Sequence, residues 1–304
     1  MSQIETVGIV GAGTMGTGIA EVTAMAGLPT VLVRATGGSP DEARRKIEDS
    51  LTRAMSKGRI SAGDRDAALG RLTSTADRRA LAACDLVVES VVEDLAVKRS
   101  LFAELHQIAR PGAIFASNTS TLRIRDIGLG SPRGARTVGM HFFAPAPAMK
   151  LVELAVLDTT PAEVVGSSAE FVARIGKTAV PVVDSAGFVV NRLLVPYIVG
   201  AIDAYEQGLG KPESIDLAMK LGCGHPMGPL ALADLIGLDV VFAMSKLLYS
   251  AHGDSRYKPP SLLRRLVQSG QLGRKSGVGI YDYATDPPRA NEAARSEYTR
   301  GPGG

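Results

Sequence analysis

His141 closes an apolar run, Thr137-Val138-Gly139-Met140-His141-Phe142-Phe143, and is followed by the turn-forming segment Ala144-Pro145-Ala146-Pro147. Glu153 follows inside the alternating run Leu151-Val152-Glu153-Leu154. If the two runs pair as an antiparallel hairpin centred on Pro147, His141 and Glu153 stand opposite one another. A carboxylate opposite an imidazole fixes its tautomer and raises its basicity, which is how a general base is prepared. A buried His–Glu pair can equally be a structural device.

A second chemical signature lies at the start of the chain. Gly11-Ala12-Gly13-Thr14-Met15-Gly16 directly follows the run Val7-Gly8-Ile9-Val10 and opens a helical stretch that closes at Gly27. In that setting Gly11 makes a tight turn, Gly13 lets backbone approach a pyrophosphate, and Gly16 lets helix and strand pack closely. The pyrophosphate would sit over Thr14 and Met15, on the N–H groups at the positive end of the helix dipole. The next strand, Thr30–Val33, ends where an NAD-binding unit places Asp or Glu on the ribose hydroxyls, yet the residue here is Arg34. Arginine cannot accept a hydrogen bond, but it can pair with a 2′-phosphate and lie against adenine, with Thr36 or Ser39 donating further bonds. NADP(H) is therefore favoured over NAD(H); the alternative is that Arg34 points to solvent.

These groups must be held by a scaffold, and the pattern supplies one. β-branched runs alternate with helical stretches, which is the signature of βαβ units feeding a parallel sheet. Expected strands are Thr6–Val10, Thr30–Val33, Asp85–Val88, Ala113–Ser117, Thr137–Phe142, Lys150–Val156 and Thr178–Val183. Two helices, Pro40–Met55 and Ser61–Leu72, read as an insertion, since one helix suffices for a crossover. After Gly187 the spacing of Val190, Leu193, Leu194, Tyr197, Ile198, Ile202 and Tyr205 is helical. The expectation is an α/β fold: a Rossmann-type, doubly wound sheet over residues 1–185 with a helical-hairpin insertion at about 40–72. A smaller all-helical domain over 186–285 and a flexible tail over 286–304 would follow.

Composition excludes several classes. With 34 Lys and Arg against 31 Asp and Glu, the net charge of +3 gives no whole-protein attraction for nucleic acid. Trp is absent and aromatics are 5%, so stacking platforms for single strands are unsupported. Cys84 and Cys223 form neither a disulfide framework nor a zinc motif, which fits a cytoplasmic setting without metal. No segment reads as a signal peptide or membrane span. Arg53, Lys57 and Arg59, with no acid among residues 51–60, are either a solvated face or a dock for a phosphorylated ligand.

Seven segments carry a family resemblance: GIVGAGTMGTGIA, DLVVESVVEDLAVKRSLFAEL, ASNTSTL, GMHFFAPAPAMKLVEL, DSAGFVVNRLL, GHPMGPLALADLIGLD and GQLGRKSGVGIYDY. In these, and in their order, the chain resembles the 3-hydroxyacyl-CoA dehydrogenase family as far as about Tyr283. The resemblance implies that His141 takes the proton of a 3-hydroxyl while hydride leaves C3 for the nicotinamide, and that Glu153 orients and stabilises the imidazolium. Ser120 and Asn191 would bind the substrate oxygen and acyl portion. Asn118, Glu93, Lys98 and Lys275 would contact the dinucleotide, and Ser50 and Lys57 the nucleotide end of a CoA thioester. Asn118 and Ser120 could instead cap a helix, and Asn191 could be an ordinary polar helix position. A homodimer through the helical domain is also implied.

Two positions depart from the family pattern. Arg34 replaces the usual Asp, and Ala144 replaces the Asn of HFFNP. Together they leave room for a subfamily whose acyl group is carried on an acyl carrier protein, such as a glyceryl unit, beside the leading expectation of a short-chain (S)-3-hydroxyacyl-CoA. A catalytically silent dinucleotide-binding protein is the reading from another class; the intact Ser120, His141, Glu153 and Asn191 set argues against it.

Overall fold

Short runs of valine and isoleucine with no polar alternation suit a parallel sheet covered by helices on both faces. The computed structural model describes residues 3–35, 37–129 and 134–291. Its strands are β1 (Val7–Val10), β2 (Thr30–Val33), β3 (Leu72–Thr75), β4 (Leu86–Glu89), β5 (Ile114–Ser117), β6 (Thr137–Phe142), β7 (Leu151–Val156) and β8 (Thr178–Val183). The helices between them are α1 (Thr14–Met25), α2 (Pro40–Ser56), α3 (Ala62–Arg71), α4 (Leu95–Ile108), α5 (Ile124–Gly128) and α6 (Ala162–Arg174).

The sheet order is β3-β2-β1-β4-β5-β6-β7-β8. Neighbours from β3 to β6 are parallel, β7 runs antiparallel to β6, and β8 is parallel to β7. Strand order therefore reverses between β1 and β4, the switch point at whose carboxyl edge such sheets bind ligands. One face packs Ile19 and Ala24 of α1, Ile47 and Leu51 of α2 and Phe171 of α6 against the strands. The other packs Leu101, Phe102 and Leu105 of α4 with Ile124 and Ile127 of α5. Fully burying a leucine, isoleucine or phenylalanine side chain contributes about 1.5–3 kcal/mol.

Leu72, expected to end the second helix of the insertion, begins β3, so the α2–α3 hairpin leads from β2 into a strand that was missed. Its sequence, Leu-Thr-Ser-Thr, lies half-exposed at the sheet edge and lacks the apolar run that reveals a strand. Within the stretch expected as a flexible tail, Arg289–Ala290 (β10) pairs with Tyr281–Asp282 (β9), and Asn291 donates to Gln271 and to the Gly279 carbonyl. The rest of that tail, and Thr36, lie outside the described residues.

The chain divides into two compact units between Phe188 and Val189. The second holds α7 (Val190–Glu206), α8 (Pro212–Cys223), α9 (Pro229–Ile236), α10 (Leu238–His252) and α11 (Ser261–Gln268). Its core joins Ile198, Ile202, Leu230, Leu238, Val241, Leu263 and Ile280. Asp216 accepts from Leu230 N, Ala231 N and the Tyr281 hydroxyl, and Asp234 from Ile280 N, Tyr281 N and the Tyr283 hydroxyl. Among the described residues no helix is long and apolar enough to cross a membrane.

Candidate active site

The β6–β7 hairpin has the register that the spacing of its residues demands. His141 pairs with Glu153, and Nδ1 of the imidazole lies 2.7 Å from Oε2 of the carboxylate. Both side chains are buried, His141 against the rings of Phe143 and Phe188. A carboxylate at Nδ1 selects the tautomer that protonates this nitrogen and leaves Nε2 basic. The connecting loop is held from below: Lys177, on the approach to β8, donates through Nζ to the carbonyls of Ala146 and Met149.

The glycine loop forms one wall of an open cleft of about 980 Å³ at the β1/β4 switch point. Gly11 adopts φ +111°, which disfavours a side chain, and a Cβ on Gly16 would meet the Gly11 carbonyl oxygen. Around Gly13 there is open space, and no side chain caps α1 there. The first turn of that helix can thus receive an anion, as a pyrophosphate requires. Thr14 and Met15 also line the cleft, together with Ser90, Glu93, Asn118, Ser120 and, at its far end, Arg34.

Asn118 joins cleft to dyad. Its Oδ1 accepts from the N–H of Phe142, the residue after His141, and its Nδ2 donates to Ser90. Neither Asn118 nor Ser120 caps a helix, since α5 begins only at Ile124 and uses no side-chain cap.

Glu93 and Lys98 take different positions from one another. Glu93 lines the cleft, but its Oε1 also gathers the Thr119 and Thr121 hydroxyls and the N–H groups of Ser120 and Thr121. Burial pushes its carboxyl up, yet Lys98 and the two threonine hydroxyls outweigh this and hold it below the usual glutamate value. Lys98 is 1% exposed, with Nζ 2.6 Å from Glu89 and 3.2 Å from Glu93, so it acts on the cleft through these carboxylates and does not line it. Glu89 was missed by sequence reading. It ends β4 fully buried and also accepts from Ser117 and Val91 N; its signal was a lone charge closing an apolar strand beside the glycine loop.

Arg34 does not point into solvent. Its side chain is 17% exposed; Nε donates to the Gly37 carbonyl, and Nη1 reaches the Ser39 carbonyl and, at 3.4 Å, Glu42. Ser39 caps α2, its hydroxyl accepting from Asp41 N. Ser50 and Lys57 lie elsewhere on α2. Ser50 bonds the carboxyl of Glu21 from α1, which burial raises while Ser50 and Arg53 oppose it; Lys57 is exposed at the helix end. In the second unit, Asn191 is buried in the first turn of α7, and Lys275 pairs with Asp239 at 2.5 Å.

Known proteins give the same frame. A family model described as 3-hydroxyacyl-CoA dehydrogenase, NAD binding domain, matches residues 6–185, and one described as 3-hydroxyacyl-CoA dehydrogenase, C-terminal domain, matches 187–283. The chain belongs to the 3-hydroxyacyl-CoA dehydrogenase family. It is 43% identical over 282 residues to a 3-hydroxybutyryl-CoA dehydrogenase of Mycobacterium tuberculosis, covering 92% of this chain and 99% of that protein. A probable 3-hydroxybutyryl-CoA dehydrogenase of Deinococcus radiodurans is 44% identical over 276 residues, covering 91% and 99%. The solved structure of (S)-3-hydroxybutyryl-CoA dehydrogenase PaaH1 from Ralstonia eutropha superposes with a TM-score of 0.88 at 40% identity, covering 93% of this chain and 100% of that one. This family member is thus an oxidoreductase with a nicotinamide dinucleotide-binding domain.

Proposed function

We propose that this dehydrogenase interconverts short-chain (S)-3-hydroxyacyl-CoA and 3-ketoacyl-CoA, on a substrate resembling 3-hydroxybutyryl-CoA, with NADP(H) preferred to NAD(H). The observation that carries the reaction is the buried His141–Glu153 pair at 2.7 Å, tied through Asn118 to the dinucleotide cleft. The printed names of the relatives support the substrate class.

In the oxidative direction, Nε2 of His141 accepts the proton of the 3-hydroxyl while Nδ1–H remains on Glu153. The imidazolium formed is balanced by that carboxylate, whose attraction grows as charge develops and so lowers the barrier. When bound, the nicotinamide would accept the hydride that leaves C3. Ser120, on the loop stapled by Glu93, and Asn191 would donate to the substrate oxygen and acyl portion. The residues around the cleft fit a dinucleotide: space at Gly13, an uncapped helix N-terminus and no side chain filling the loop. On the thioester side, Ser50 and Lys57 would hold the nucleotide end.

The cofactor preference rests on Arg34, a cation held at the end of β2 where a carboxylate would bond the ribose hydroxyls. Exposed Leu193, Leu209, Leu217 and Leu221 of the helical unit support pairing as a homodimer there, which light scattering measures directly. The deciding assay is kcat/KM for NADPH and NADH with acetoacetyl-CoA. The wild type should favour NADPH by about tenfold or more, and Arg34→Asp should reverse the order. A wild-type preference for NADH that the substitution leaves unaltered overturns the cofactor reading.

A further inference from the structure

Arg34 alone is an incomplete seat for a 2′-phosphate. Such a group carries a charge of about −1.5 to −2 at neutral pH. Arg34 commits Nε and Nη1 to the carbonyls of its own loop, and Glu42 already offsets part of its charge. A dianion at this end of the cleft calls for a second cation.

The missed strand supplies it. β3 lies outside β2 in parallel register, with Val33 opposite Thr75, and the Arg34 N–H donates to the Thr75 carbonyl. The loop after β3 therefore leaves the sheet beside the loop after β2. It carries Arg78, which opens a short 3₁₀ turn capped by Asp77. Arg78 and Arg34 line the dinucleotide cleft and also the adjoining hollow, so both stand on the rim between them. Lys46, from α2, lines the same end of the cleft.

The neighbouring acids position these cations and do not cancel them. Glu42 is shared between Arg34 and Lys46, and Glu104 of α4 holds the Arg78 guanidinium, so three cations face two carboxylates. We propose that Arg78, assisted by Lys46, completes the 2′-phosphate seat that Arg34 begins, and is a specificity-determining residue for NADP(H). This rests on the NADP(H) reading above and adds to it a residue outside the glycine-loop motif. Arg79, next in the chain, is the natural control. It pairs with Asp77, its side chain is 89% exposed, and it lines the hollow but not the cleft.

The test is calorimetric titration of the full chain with 2′,5′-ADP and with 5′-AMP, which reads the phosphate without turnover. The wild type should bind 2′,5′-ADP about tenfold or more tightly than 5′-AMP, and Arg78→Gln should lower that ratio at least fivefold. Arg78→Lys should recover part of it, and Arg79→Gln, with the same change of net charge, should keep it. A wild type that discriminates, with a ratio unchanged in Arg78→Gln or equally lowered in Arg79→Gln, overturns the assignment of Arg78 and leaves the NADP(H) reading standing. A wild type that binds the two nucleotides equally overturns both.

Discussion

Replacing Glu153 by Gln removes one charge from the dyad and leaves its shape. In the native pair a buried carboxylate accepts from Nδ1 at 2.7 Å, a charge-assisted bond. Such bonds contribute about 1.5–3 kcal/mol and neutral ones about 0.5–1.5 kcal/mol, so the change removes roughly 1–1.5 kcal/mol. The loss is felt most when the imidazolium is present, which places it in the transition state, and at about 1.36 kcal/mol per tenfold kcat should fall about 5- to 15-fold. Glu153→Ala should fall further, because a buried Nδ1–H then has no acceptor from this strand. The assay is steady-state kcat for oxidation of (S)-3-hydroxybutyryl-CoA, the direction in which the imidazolium forms, with thermal melting to confirm folding and NADPH titration to confirm an intact cleft. Glu153 does not line that cleft, so nucleotide affinity should hold. A folded Glu153→Gln protein with kcat within twofold of wild type would refute a stabilising role for the carboxylate.

Lys57→Ala should raise KM for the CoA thioester about 2- to 5-fold at low ionic strength with kcat little changed, the scale of an exposed ion pair, and added salt should erase the difference. Titrating KM against salt checks it. Burial raises the Asp234 carboxyl to about 6 from its ordinary 3.8, so the folded state binds its proton more tightly than the unfolded state does. This group's contribution therefore weakens as pH rises through that window, and the Tm advantage of wild type over Asp234→Asn should shrink between pH 4 and pH 7. Melting curves of both proteins across that range decide it; an advantage that widens with pH would contradict the assignment.

Much of the site could be read from local pattern. The hairpin was legible because Pro147 lies midway between His141 and Glu153 and each flanking run reads as a strand, one apolar and one alternating, so the equal spacing set the register. The glycine loop was legible because each glycine has a backbone reason that no other residue meets as well. What escaped depends on approach across the fold. Glu93 gathers the Ser120 loop from 27 residues away, and Lys98, read as a cofactor contact, is drawn under the cleft by Glu89. Arg78 escaped with β3: a polar edge strand has no hydrophobic period, and without it the Arg78-Arg79 doublet had no place beside Arg34.

In the proposed 3-hydroxyacyl-CoA dehydrogenase reaction it is His141 that moves the proton. The most direct measurement is kcat for acetoacetyl-CoA reduction by wild type and by His141→Ala, each saturated with the preferred nicotinamide cofactor. The wild type should turn over, and the variant should be slower by about 10²- to 10⁴-fold while binding cofactor normally. Near-normal turnover by His141→Ala would show that another group moves the proton.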